Sequence, residues 1–232
     1  MSIQHSILQL TLGQRIDSIR NTIQELKVDN EVTLVAVSKT QPASLIAEAF
    51  QEGVTHFGEN YLQEALTKQN TLKHLPIIWH FIGPIQSNKT ALIAQQFDWV
   101  DSVDRQKIAQ RLSEARLLSG KTPLSVCIQV NISHELSKSG VDEKELPQLA
   151  HCVSLCRGLQ LRGLMAIPDP RLSDTELRMQ FRKMKDWFDQ LRQQYSSMDT
   201  LSMGMTQDYL MAISEGATQV RVGTGIFGVR EK

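Results

Sequence analysis

The chain reads as an α/β protein, a single closed (β/α)8 barrel. Three observations predict it. Short β-branched runs alternate with longer amphipathic segments, which is the signature of parallel strands joined by crossover helices. Eight such runs can be counted along the sequence. The length of 232 residues matches what such barrels need for one large core. Residues 1–232 carry no Ser/Gly-rich or charged linker, so one domain is expected, with residues 1–28 as a helical segment packed on the outside. An open doubly wound sheet is the alternative, but no G-x-G-x-x-G follows the first strand, where a dinucleotide fold would place one.

In the opening segment, Ile7, Leu10, Ile16, Ile19, Ile23 and Leu26 recur mostly at helical spacing, with an interruption expected near Gly13. The first strand is TLVAV (33–37), followed by a helix from Pro42 to Gly53, the usual asymmetry of helix ends. VTHFG (54–58) is the second strand, and its helix carries Leu62, Ala65 and Leu66. IIWHFI (77–82) and DWVDSV (98–103) are the third and fourth. Asp104 is expected to cap the next helix, with Ile108, Leu112, Ala115 and Leu118 facing inward up to Gly120. LSVCIQVNI (124–132) is the fifth strand; Asp142 and Glu145 announce the helix carrying Leu146, Leu149 and Val153. LQLRGLMAI (159–167) is the sixth. Ser173 and Glu176 then form a capping box ahead of the stripe Leu177, Phe181, Met184, Phe188 and Leu191. DTLSM (199–203) and TQVRVG (218–223) complete the eight.

Composition removes several function classes. Lys plus Arg total 25 and Asp plus Glu total 25, so no net field draws the chain to nucleic acid or an anionic membrane. The first residues lack a basic start with an apolar core, so no secretory signal is expected. Cys127, Cys152 and Cys156 form no CxxC and suit a reducing, cytoplasmic setting. The histidines show neither HxH nor HExxH, so no metal is expected.

Chemistry should sit where barrel strands end at their C-terminal face, with phosphate near the loops after strands seven and eight. LSMGMT (201–206) and RVGTGIFG (221–228) occupy those two places. Gly223 and Gly225 allow close backbone approach to an anion, and Thr224 and Ser202 add hydroxyls. An ordinary glycine turn is the plainer reading of GTG. Lys39 leaves strand one and shares pleat parity with Val35 and Val37, so its amine points to the mouth rather than merely marking a strand end. A lysine partly desolvated there attacks aldehydes and forms a Schiff base. An amine beside a phosphate site suits a phosphorylated aldehyde, with pyridoxal phosphate as the candidate. Arg221 alternates with Val220 and Val222 and faces the interior; it either pairs with a buried carboxylate or stands near a pyridine nitrogen, where it disfavours the protonated ring.

The blocks VAVSKTQP, FGENYLQEA, WHFIGPIQSNK, QVNISHELSKSG, GLMAIP, LSMGM and VRVGTGIFG, in this order, resemble the pyridoxal phosphate homeostasis proteins, related to the barrel domain of alanine racemase. The resemblance implies a barrel of the alanine racemase N-terminal-domain type holding pyridoxal 5′-phosphate (PLP) as an aldimine on Lys39. It implies phosphate contacts from Ser202, Gly223 and Thr224, Arg221 at the ring nitrogen, Asn60 beside the cofactor, and Met165 and Met203 in the pocket wall. Thr206 stands where the family usually has serine, and Leu210 where it usually has an acidic residue. Gln86, Asn88, Lys89 and Lys138 recur in the family, and the sequence supplies no mechanism for them.

The implied function is PLP binding in intracellular vitamin B6 homeostasis, with delivery to apo PLP-dependent enzymes and no turnover of its own. A racemase or related PLP enzyme is the alternative. Racemisation needs acid and base groups on both faces of the substrate carbon, and opposite Lys39 no partner is evident. Alanine racemases take a tyrosine from a second domain, for which this length leaves no room; Tyr61 is near the mouth, and Tyr195 and Tyr209 fall on helices. A class I aldolase also uses lysine and phosphate sites, but Arg221 and the family blocks oppose it. A monomer is expected.

Overall fold

The computed structural model describes residues 10–26, 31–133 and 139–228. Lys138, the first nine residues and most of the SHELSK segment lie outside the described residues. The described strands close into one parallel barrel in sequence order. They are β1 (Thr33–Val37), β2 (His56–Glu59), β3 (Ile78–Phe81), β4 (Trp99–Val103), β5 (Leu124–Val130), β6 (Leu159–Ala166), β7 (Thr200–Met205) and β8 (Gln219–Val222). Closure comes from β1 pairing with β8, with Thr33 opposite Gln219 and Val35 opposite Arg221.

A helix α1 (Leu12–Glu25) precedes the barrel, and α2 (Ala43–Gln51), α3 (Leu62–Thr71), α4 (Thr90–Gln96), α5 (Gln106–Leu118), α6 (Leu146–Leu155), α7 (Asp174–Arg192), α8 (Tyr209–Ser214) and α9 (Thr224–Phe227) follow successive strands. Strand side chains alternate as β-pleating requires. Leu34, Ala36, Phe57, Trp79, Phe81, Val220 and Val222 point out into one apolar layer shared with the helices. That layer buries Ile16 and Ile19 of α1, Ile46 of α2 and Phe181, Met184 and Phe188 of α7, so the helical stripes read from sequence are the core-facing ones.

The departures are local. Gly13 does not interrupt α1: the helix starts beside it, capped by a Thr11–Gln14 box. Asp104 is not a cap. Arg105 takes that position without a side-chain bond, and Asp104 pairs instead with its guanidinium at 2.6 Å. The helix announced by Asp142 and Glu145 forms, with Glu145 as its N-cap. Leu118 is 89% exposed, the last residue of α5 and beyond the part of the stripe that Ile108 and Leu112 bury. The Ser173–Glu176 capping box forms as expected.

Candidate functional site

The barrel interior is polar along one path. His56 Nδ1 lies 2.9 Å from His80 Nε2, and His80 Nδ1 lies 3.2 Å from Asp101 Oδ1. Gln219 Nε2 donates to Asp101 Oδ2 at 2.7 Å and to Ser202 Oγ at 2.9 Å. Arg221 Nη1 donates to the same serine oxygen at 2.5 Å, and its Nη2 to the Ala166 carbonyl at 2.8 Å. Burial pushes the Arg221 guanidinium down from its ordinary pKa, while the Asp101 and Asp208 carboxylates pull it back up. Burial also lowers His56 to about 4, helped by His80 and opposed by Asp101. The path therefore runs from neutral imidazole at one end of the barrel to a fixed cation at the other.

Above Arg221, at the strands' C-terminal ends, opens a cavity of about 600 Å³. Lys39, Asn60, Arg221, Gly223 and Thr224 all line it, together with Val37, Ile82, Met205, Thr206 and Asp208. Five of the eight residues singled out from sequence thus meet in one place, contributed by the ends of β1, β2 and β8. The other three do not line it. Ser202, fully buried, spends its oxygen on Gln219 and Arg221. Met165 is fully buried on β6, and Met203 points outward into the apolar layer. Lys89 ends a short turn of helix after β3 and is not among the lining residues.

Sequence reasoning named Thr206 only as a threonine in place of the family's usual serine and gave it no contact. Its Oγ1 accepts from the Gly225 amide and from Thr224 Oγ1, each at 3.3 Å. After β7, the hydroxyl residue that lines the cavity is therefore Thr206. The signal was the length of the strand: β7 runs on to Met205, three residues short of Asp208, whose Oδ1 accepts from the Met205 amide at 2.5 Å. At Gly225 a Cβ would come within 2.8 Å of Val222 Cγ1 and 3.2 Å of Thr206 Cγ2, so the glycine lets this loop draw close to Thr206.

Two features of the mouth bear on a ligand. Asn60 Oδ1 is buried against the cavity with no hydrogen-bond partner, an acceptor that calls for a donor from whatever fills the space. Asn60 is held from behind by Gly83, where a Cβ would sit 2.2 Å from the Asn60 carbonyl oxygen; the Gly83 carbonyl in turn accepts from Ser102 Oγ at 2.6 Å. This close approach accounts for the IGP turn.

The turn that carries Lys39 is strained. Thr40 adopts φ 66°, and the Gln41 amide donates to the Ser38 carbonyl at 3.0 Å. A positive φ at the third residue is the type II pattern, which glycine normally fills. Three bonds hold it beside Thr40's own contact with the Lys39 carbonyl. The Thr40 amide donates to Glu64 Oε1 at 2.5 Å, Ser38 Oγ donates to Glu59 Oε1 at 2.6 Å, and Lys68 Nζ donates to the Ser38 carbonyl at 2.7 Å.

The comparisons with known proteins agree with this fold. The alanine racemase N-terminal-domain family model matches residues 14–231. The fold and the site together thus define a barrel of that class, with a lysine, an arginine and a hydroxyl-and-glycine cradle at one mouth. A pyridoxal phosphate homeostasis protein of Pseudomonas aeruginosa is 54% identical over 200 residues, covering 86% of this chain and 85% of its own. One of Haemophilus influenzae is 48% identical over 99% of this chain and 97% of its own. PipY of Synechococcus elongatus, solved with PLP bound, is 38% identical with a TM-score of 0.82, covering 94% of this chain and 100% of that one. The chain belongs to the family of pyridoxal phosphate homeostasis proteins.

Proposed function

We propose that this protein binds PLP covalently through Lys39 and serves intracellular PLP homeostasis. One observation carries the reading: an amine, a buried cation, two hydroxyls and an unpaired acceptor share a single cavity at the barrel mouth. The groups fit the cofactor's chemistry. Lys39 meets an aldehyde; Thr206, Thr224 and the backbone at Gly223 suit a phosphate, in place of Ser202. Arg221, fixed by Ser202 and Ala166, suits an unprotonated ring nitrogen, because a guanidinium only donates. Asn60 Oδ1 suits a hydroxyl donor. When bound, PLP would supply an aldehyde and an electron sink, the latter weakened by a donor-only neighbour at the ring nitrogen.

Binding rather than turnover is the proposed role. Its support is the name shared by the curated relatives and the weak sink that Arg221 implies. Tyr61 is 57% exposed and is not among the residues lining the cavity. Delivery to apo-enzymes, a monomeric state and a cytoplasmic setting complete the proposal; among the described residues no helix is long and apolar enough to cross a membrane. The test is an absorbance titration of wild type and Lys39→Ala with PLP, followed by borohydride and peptide mass mapping. A visible band in the wild type alone, with the reduced adduct on the Lys39 peptide, is expected. Identical spectra for the two proteins would overturn the reading.

A further inference from the structure

We propose that Lys68, a lysine of α3 that does not line the cavity, is the positioning residue for Lys39. The inference rests on the covalent PLP reading above and names what prepares the amine for it. Lys68 is 6% exposed, and its ammonium meets three acceptors: the Ser38 carbonyl at 2.7 Å, Glu59 Oε1 at 2.7 Å and Glu64 Oε1 at 2.5 Å. An ammonium has three donors, so this one is saturated. Each acceptor leads to the reactive turn. Ser38 precedes Lys39 directly. Glu59 also takes the Ser38 hydroxyl, and Glu64 also takes the Thr40 amide. A single buried cation thus ties down the residues on both sides of Lys39 and holds Thr40 at the positive φ that a β-branched residue otherwise avoids.

The consequence is chemical. Lys39 adds its neutral amine to the aldehyde carbon of PLP; a C=N bond replaces C=O, and the oxygen leaves as water with the two amine protons. The rate depends on where the turn places the amine relative to a ring fixed by its own phosphate and nitrogen contacts. Loosening the turn slows bond formation and leaves those other contacts in place.

The experiment uses the full chain, with Lys68→Met combined with Glu59→Gln so that no buried carboxylate is stranded. Two probes are compared. PLP reports formation of the linkage by stopped-flow absorbance; pyridoxine 5′-phosphate, with an alcohol for the aldehyde, reports the remaining contacts by calorimetry. The linkage should form on the order of ten-fold more slowly, with pyridoxine phosphate affinity within about two-fold of wild type. Glu64→Ala keeps the Lys68–Glu59 pair and removes the one oxygen that accepts from both the Thr40 amide and Lys68; it should slow the linkage about three-fold. It carries the test if the double variant does not fold. Unchanged linkage rates in both variants would overturn the inference, as would parallel losses for both probes, which mark a general structural role. A wild type that forms no linkage would overturn the covalent reading itself, and this inference with it.

Discussion

Lys68→Met alone should make the stability of the protein depend on pH. Glu59 is fully buried, its Oε1 accepts from Ser38 and Lys68, and its Oε2 has no partner. Burial already raises its pKa above 4.5, while the Lys68 and Ser38 contacts pull it down. Without Lys68 the carboxylate either stays charged and uncompensated, at about 3–5 kcal/mol, or takes up a proton. Protonation has a computable ceiling. At ~1.36 kcal/mol per unit above 4.5, it costs about 4.8 kcal/mol at pH 8 and about 0.7 kcal/mol at pH 5. The lost bonds to Ser38 and Glu64 add about 1 kcal/mol at either pH. The sign follows from the raised folded-state pKa: stability is fully present below the unfolded value and is lost as pH rises through the folded one. The variant should therefore lose about 5 kcal/mol at pH 8 and about 2 kcal/mol at pH 5, read by urea unfolding against wild type. Adding Glu59→Gln should remove most of the pH dependence. Equal losses at both pH values, or a loss below about 1 kcal/mol at pH 8, would refute the reasoning.

Two further outcomes test the mouth. Thr206→Val keeps the shape and removes the hydroxyl, so PLP affinity should fall about ten-fold while affinity for pyridoxal, which lacks the phosphate, stays level; an unchanged ratio in a binding titration would remove Thr206 from the phosphate cradle. Gly83→Ala drives a Cβ to 2.2 Å from the Asn60 carbonyl oxygen, whereas Gly120→Ala meets nothing within 4 Å and strains only its φ of 67°. Thermal melts should show Gly83→Ala costing about 1–3 kcal/mol more than Gly120→Ala. Equal costs would mean that close approach does not require the glycine.

The barrel was legible because parallel strands buried on both faces are written in β-branched residues, and Val220–Arg221–Val222 displays its inward arginine by simple alternation. Lys39, Gly223 and Thr224 were legible because each stands at or just past a strand end, whereas Asn60 came from the family resemblance alone. Ser202 does not reach the cavity, for one physical reason. The apparent strand ended at Met203, but β7 continues through Gly204, at φ 93° and with a shift in register, to Met205, which sinks Ser202 into the interior and brings Thr206 to the rim. Helix caps failed where a neighbouring residue took the position, as Arg105 did from Asp104, since the choice depends on tertiary partners and not on local preference.

Lys68 is the instructive omission, because its signal was present. Leu62 and Ala65 define the buried stripe of α3, and Lys68 continues it at the same spacing, three residues on, where a solvated lysine has no place. Glu64 stands four residues before it. The remaining partner, Glu59, ends β2 with its side chain outward toward α3, on the pleat parity of Phe57. A cation in an apolar stripe, with an acid one turn back and another on the strand beneath, is a pattern that can be read before any coordinates. What could not be read is that the same ammonium reaches the Ser38 carbonyl. That contact joins α3 to the end of β1 and turns an internal ion pair into the support of the reactive lysine.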